Sequence, residues 1–116
     1  IELSNIWIAC DVGTALDPGN IEAQMVGGSL YGLSAALYGE ITFYDGEVEQ
    51  TNFPDYDAIR MANCPKSEVK ILENNPYIGG VGEASTPPAA PALTNALFAL
   101  TGQRARKLPL YHQFNL

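Results

Sequence analysis

Alternation comes first along the chain. Ile6, Ile8, Cys10 and Val12 interleave with Trp7, Ala9 and Asp11, a period of two that predicts a β-strand with one covered face. Gly13 ends it. Asp17-Pro18 then offers a side-chain cap followed by proline in a first turn, so a helix is expected over residues 20–38, with Ile21, Met25 and Leu33 on its apolar face. Ile41-Thr42-Phe43-Tyr44, Asp45-Gly46 and Glu47-Val48-Glu49-Gln50 read as a hairpin through a type I′ turn, with Phe43 opposite Val48. Residues 51–65 read as an irregular connection with a short helical turn. Residues 68–72 form a strand pattern, Val69 and Ile71 facing one way and Lys70 the other. Thr86-Pro87-Pro88 marks a second helix entrance. Leu93, Ala96, Leu97 and Leu100 follow at i, i+3, i+4 and i+7, and Gly102 stands where the helix stops. The order strand, helix, hairpin, strand, glycine loop, helix predicts one α+β unit. Its two main helices are expected on a mainly antiparallel sheet, with no domain boundary within residues 1–116.

Glycine disturbs this pattern in two places. Gly27, Gly28 and Gly32 fall inside the first helix, where each is unfavourable by about 1 kcal/mol relative to alanine. They make sense where another element or a ligand comes close to the backbone. The second place is Gly79-Gly80-Val81-Gly82-Glu83, just before the second helix. It lacks the Gly-Lys-Ser/Thr ending of a phosphate loop and is not the dinucleotide fingerprint. Glycines let a backbone approach a ligand, and a helix start presents free N–H groups, so Glu83 is a candidate for placement against a substrate or cofactor. On its own, such a glutamate is more often a cap or a solvated turn residue.

Composition narrows the classes. Hydrophobic residues at 47% against charged residues at 16% argue for a folded unit. A net charge of −7 makes nucleic acid an unsuitable partner. Arg104, Arg106 and Lys107 read as a solubilising cluster past a helix end rather than as a binding patch. Cys10 and Cys64 cannot define a disulfide framework, and Cys10 reads as a small buried hydrophobe on its strand. With one histidine, His112, and no CxxC pair, no protein-built metal site is expected. No apolar run approaches the roughly 20 residues of a membrane span. The start at Ile1, without a basic stretch before an apolar one, argues against a signal peptide. Localisation stays open.

One resemblance spans nearly the whole chain. GVGEASTPPAAPALTNALFALTGQRARKLPL (residues 80–110) resembles the end of the molybdopterin-binding large subunits of the xanthine dehydrogenase/aldehyde oxidase family, nearest to the isoquinoline 1-oxidoreductase beta branch. DVGTALDP (11–18), IEAQMVGGSLYGLSAALYGEIT (21–42) and DGEVEQTNFPDYDAIRM (45–61) resemble further segments of that branch in the same order. Asp17 departs from the usual asparagine, and Ala84 replaces a common proline. The resemblance implies that Glu83 is the catalytic base next to a molybdenum centre, with Gly80, Val81 and Gly82 forming its approach. The metal would make a nucleophile from water to attack an electron-poor carbon of an N-heterocycle or aldehyde. It further implies that Gln24, Gly27 and Gly28 face the pterin. Against that, Gln24 can equally be a solvent-facing helix residue and the glycines can serve helix–sheet packing.

The cofactor implied is molybdopterin, as molybdenum cytosine dinucleotide, in a full enzyme with an iron–sulfur partner subunit. The chain would be the C-terminal segment of the large subunit, inactive and without molybdenum alone, and self-associating through apolar surface. Two readings compete with this one. The first is a stand-alone, non-catalytic binding or assembly module. The second is an unrelated anion-binding domain using the 79–82 loop.

Overall fold

The computed structural model describes residues 1–116. The alternating stretch forms β1, Asn5–Asp11, and pairs with β4, Lys66–Leu72, from Asn5 opposite Lys66 to Asp11 opposite Leu72. The pair is parallel. Parallel neighbours need a long crossover. Here it is supplied by α1 (Pro18–Leu37), the hairpin of β2 (Phe43–Tyr44) and β3 (Glu47–Val48), and single 3-10 turns at Phe53–Asp55 and Met61–Asn63. The α+β class with two main helices therefore holds, but the mainly antiparallel sheet does not. Antiparallel pairing is confined to the hairpin, Phe43 opposite Val48 and Tyr44 opposite Glu47. An Asp-Gly turn leaves a local mark in sequence. A pairing across an intervening helix leaves none.

Both long strands turn alternate residues inward. Ile6, Ile8 and Cys10 of β1 and Val69 and Ile71 of β4 are half-buried and packed against core clusters, while Trp7, Ala9 and Asp11 are exposed. β1 has no strand on its second edge. That edge borders a groove of about 610 Å³ running to the second helix, lined by residues such as Ile6, Ala84, Pro88 and Ala92.

α1 starts where the sequence said. The Asp17 carboxylate accepts from the Asn20 backbone N–H at 3.1 Å and from its side-chain amide at 3.0 Å, and proline occupies the first turn. Its buried stripe runs Ile21, Met25, Ser29, Gly32, Leu33, Ala36 and Leu37. α2, Thr86–Thr101, buries Ala89, Leu93 and Leu97, one residue per turn. The expected apolar face was wider: Ala96 and Leu100 point outward, with Leu100 69% exposed. A single i, i+4 ridge on α2 is enough to meet α1, so the next rows stay free. Gly102 closes α2 at φ 72°, its N–H donating to the Phe98 carbonyl at 2.8 Å.

The core is divided in two. Leu33 and Leu37 of α1, the α2 ridge, and Leu110 and Phe114 of the C-terminal tail form the larger cluster. Val12, Ile21 and Met25 form the smaller, with Val81 of the glycine loop packed against it. The radius of gyration is 16.3 Å, above the roughly 13 Å of a compact domain of this length. Large apolar side chains stand outside both clusters, Trp7 at 70% and Met61 at 94% exposed among them.

Candidate functional site

Glu83 lies at the end of a loop that is fastened on both sides. Upstream, the segment after β4 is buttoned to the end of β1. Asp11 Oδ1 accepts three backbone N–H groups, from Gly13 at 3.2 Å and from Asn74 and Asn75 at 3.1 Å each. The Ala15 N–H donates to Glu73 Oε1 at 2.7 Å, and the Gly79 N–H to the Val12 carbonyl at 3.0 Å. The Asn75 N–H first, then that of Gly13, hold the Asp11 carboxyl below the ordinary carboxylate value. Gly13 sits at φ 75°, and a Cβ there would run into the carbonyl oxygens of Tyr77 and, at 2.8 Å, Asn75. Only glycine fits both the left-handed backbone and the space.

Downstream, the loop turns into α2. The Thr86 N–H donates to the Glu83 carbonyl at 3.0 Å. The hydroxyl of Ser85 donates to the Gln24 carbonyl at 3.5 Å, and that of Thr86 to the Gly28 carbonyl at 3.1 Å. These bonds tie the α2 entrance to α1, and they explain two of the three helix glycines. A Cβ at Gly28 would overlap Ser85 Oγ. One at Gly32 would meet the Thr86 carbonyl oxygen at 2.5 Å and the Ala89 Cβ at 2.9 Å. The close neighbour is the second helix, not the sheet. Gly27 is different, because a Cβ there would meet nothing within 4 Å. No contact within the chain requires glycine at that position.

Between these fixings, Gly27, Gly28, Tyr31, Gly82, Glu83, Thr86 and Pro87 line one open cleft of about 450 Å³. Of the residues singled out from sequence, Gly27, Gly28, Gly82 and Glu83 come together there. The other three do not line it. Gln24 is exposed and takes part through its backbone carbonyl, Gly80 is exposed, and Val81 packs inward against the smaller core cluster. Sequence reasoning missed Tyr31, Thr86 and Pro87. Tyr31 lies four residues after Gly27 and three after Gly28, so helical spacing alone puts it on their face.

The Glu83 carboxylate is exposed and makes no hydrogen bond or ion pair within the chain. The helix entrance beside it is a poor anion site. Pro87 and Pro88 carry no N–H, the Thr86 N–H is already used, and the Ser85 hydroxyl is turned to Gln24. With the net charge of −7, this weighs against phosphate capture by the 79–82 loop. No group of three or more His, Cys, Asp or Glu side chains could hold a metal ion. A metal facing Glu83 could be carried there by an organic cofactor. The residues present fit such a cofactor: a cleft with hydrogen in place of side chains at Gly27 and Gly82, and a carboxylate with no partner of its own.

Two other polar features lie elsewhere. Glu40 accepts from the Tyr111 hydroxyl at 2.6 Å and faces His112 Nε2 at 2.8 Å, which lowers its carboxyl and raises the tyrosine. This trio joins the end of α1 to the C-terminal tail. Cys10 is half-buried, and its thiol is pushed up by burial first and by the Asp11 charge second, which suits an unreactive strand residue.

The molybdopterin cofactor-binding domain family matches residues 1–65, which include Asp11, Gly27 and Gly28. The chain is 36% identical over 110 residues to the isoquinoline 1-oxidoreductase subunit beta of Brevundimonas diminuta, covering 95% of this chain and 14% of that protein. It is 28% identical over 118 residues to the aldehyde oxidoreductase molybdenum-binding subunit PaoC of Escherichia coli, covering 95% of this chain and 16% of that one. Its fold matches part of the quinoline 2-oxidoreductase of Pseudomonas putida 86 with a TM-score of 0.82 at 24% identity, over 94% of this chain and 15% of that one. The chain thus spans about one-seventh of the length of these relatives.

Proposed function

The chain belongs to the molybdopterin cofactor-binding domain family, and we propose that it is the C-terminal segment of a molybdenum-hydroxylase large subunit whose task is to present Glu83 as a base. The observation that carries this reading is the cleft itself. An unpaired carboxylate is held on a fastened loop, opposite a stretch of helix backbone with no side chain at Gly27.

The overall reaction adds water to a substrate carbon and removes a hydride equivalent, R–H + H2O giving R–OH, two protons and two electrons. The cofactor, when bound, supplies the metal that activates the water-derived oxygen and takes up the electrons. This chain's residues handle position and proton. Gly27 and Gly82 leave room for close approach, Gly28 and Gly32 let α2 seat against α1, and the Glu83 carboxylate takes a proton from the water-derived nucleophile as it attacks. General base catalysis of this kind contributes roughly 10²–10⁴-fold in rate.

The substrate class is an electron-poor carbon of an N-heterocycle or an aldehyde, and the cofactor is molybdopterin in its cytosine dinucleotide form. The electrons leave through an iron–sulfur partner subunit. The relatives named above support the class of chemistry, and the quoted segments support the branch. The apolar groove beside the free edge of β1, with Trp7 and Met61 exposed, supports a chain that is covered by the rest of its subunit. Alone, it self-associates and carries no molybdenum. A monodisperse monomer in sedimentation at high concentration would count against that.

The test of the base is Glu83→Gln in the full, cofactor-loaded enzyme. Turnover should fall by roughly 10²–10⁴-fold, with molybdenum content and cofactor content unchanged. Wild-type turnover in that variant would end the proposal.

A further inference from the structure

We infer that Asp11, which does not line the Glu83 cleft, is the positioning residue that sets where the Glu83 carboxylate stands. The inference rests on the reading of Glu83 as the base. Its own support is geometric. One oxygen of Asp11 gathers N–H groups from two stretches of chain far apart in sequence, Gly13 on one side and Asn74 and Asn75 on the other. Bonds to an ionised acceptor are about twice as strong as neutral ones, and this oxygen makes two of them across the seam, from Asn74 and Asn75, where Glu73 makes one, from Ala15. Around it the Ala15–Glu73 and Gly79–Val12 bonds close the same seam.

The need for such a tie follows from what comes next. Residues 79, 80 and 82 are glycine, and a run of this composition has no conformational preference strong enough to place a side chain. A carboxylate on it is placed by what holds its two ends and by the seating of Val81 between them. The downstream end is held to α1 by the Ser85 and Thr86 hydroxyls. The upstream end is held by the Gly79–Val12 bond and, before it, by the Asp11 bonds to Asn74 and Asn75, with Val81 seated against Val12, Ile21 and Met25 just beyond. Displacement of a catalytic group by about 1 Å can lower the rate on the order of 10²-fold. Loosening the upstream end should therefore be felt at Glu83 without any change at the substrate pocket itself.

The experiment uses the full, cofactor-loaded enzyme with three variants, Asp11→Ala, Asp11→Asn and Glu83→Gln. Backbone hydrogen exchange over residues 73–83, kcat, KM and molybdenum content are measured on each. Asp11→Ala should raise exchange across that segment and lower kcat by roughly 10–10²-fold, with KM and molybdenum content unchanged. Asp11→Asn keeps an acceptor oxygen without its charge, so it should recover part of both effects. If Asp11→Ala does not fold, Asp11→Asn against wild type carries the same test. Glu83→Gln should lose turnover with no change in exchange.

Raised exchange with wild-type kcat would overturn the positioning role. So would unchanged exchange, or a kcat loss explained by lost molybdenum. Wild-type turnover in Glu83→Gln would instead remove the base reading, a separate failure that the Asp11 variants do not produce.

Discussion

The hairpin of β2 and β3 and the loop from β4 to α2 are both glycine-bearing and largely exposed, yet they are held in opposite ways. The hairpin is tied only to itself. Phe43 pairs with Val48, and the Thr42 N–H donates to the Gln50 side-chain carbonyl at 2.8 Å while the Gln50 amide returns a bond to the Thr42 hydroxyl at 2.8 Å. The Glu83 loop has few bonds of its own and many to its surroundings, through Asp11, Ala15, Val12, Gln24 and Gly28. Exposure therefore does not mean looseness. The exposed element with outside fixings can aim a side chain. The self-tied one can only project, and its exposed Phe43 and Tyr44 suit a surface that something else covers.

Substitutions at matched glycines should separate the two regions. Gly13 and Gly46 both have positive φ, at 75° and 83°, but Gly13 is walled in by the Tyr77 and Asn75 carbonyls while a Cβ at Gly46 meets nothing within 4 Å. Gly13→Ala should combine backbone strain with overpacking and destabilise the chain by about 2–5 kcal/mol. Gly46→Ala should lose only about 1–2 kcal/mol from its backbone. Denaturant unfolding measures both, and equal losses would mean the loop is not fastened as described.

A smaller contrast lies within α1. Gly32→Ala should push α2 outward and lower stability by about 1–3 kcal/mol. Gly27→Ala has free space and better helix propensity, and should raise it by about 0.5–1 kcal/mol. If Gly27 does face the pterin, the same stabilising change should reduce cofactor content in the full enzyme. Undiminished content would remove Gly27 from the site.

The mildest contrast is with pH. The folded Asp11 carboxyl lies below its ordinary value of 3.8, so its contribution is fully present above that value and is lost as pH falls through the lower folded one. Acidification should therefore speed amide exchange at Asn74 and Asn75 more than at Glu49 of the hairpin, after correction for intrinsic rates. A parallel response in both regions would show that Asp11 is not the tie.

Local chemistry was legible in the sequence, and long-range geometry was not. The Asp17 cap, the Asp45-Gly46 turn and its Phe43–Val48 pairing, the Gly102 stop and the Thr86 start each depend on a few adjacent residues, and each stands as read. The parallel pairing of β1 with β4, the outward Leu100 and the partner of Gly28 depend on elements far along the chain. At the cleft, the resemblance led to Gly82 and Glu83, and helix spacing could have added Tyr31. Asp11 reads in the sequence only as a polar strand residue and as the start of the DVGTALDP segment, although an Asp-x-Gly turn whose side chain bonds the N–H two residues on is a local signal. That it also gathers Asn74 and Asn75 could be known only from coordinates.

The parallel crossover also constrains the order in which the chain can assemble. The Asp11 acceptor and its Asn74 donor lie 63 residues apart, and contacts of such span form only after the intervening chain has been drawn into place. The cleft therefore carries the loop-closure cost of that span, a cost that grows only slowly with length.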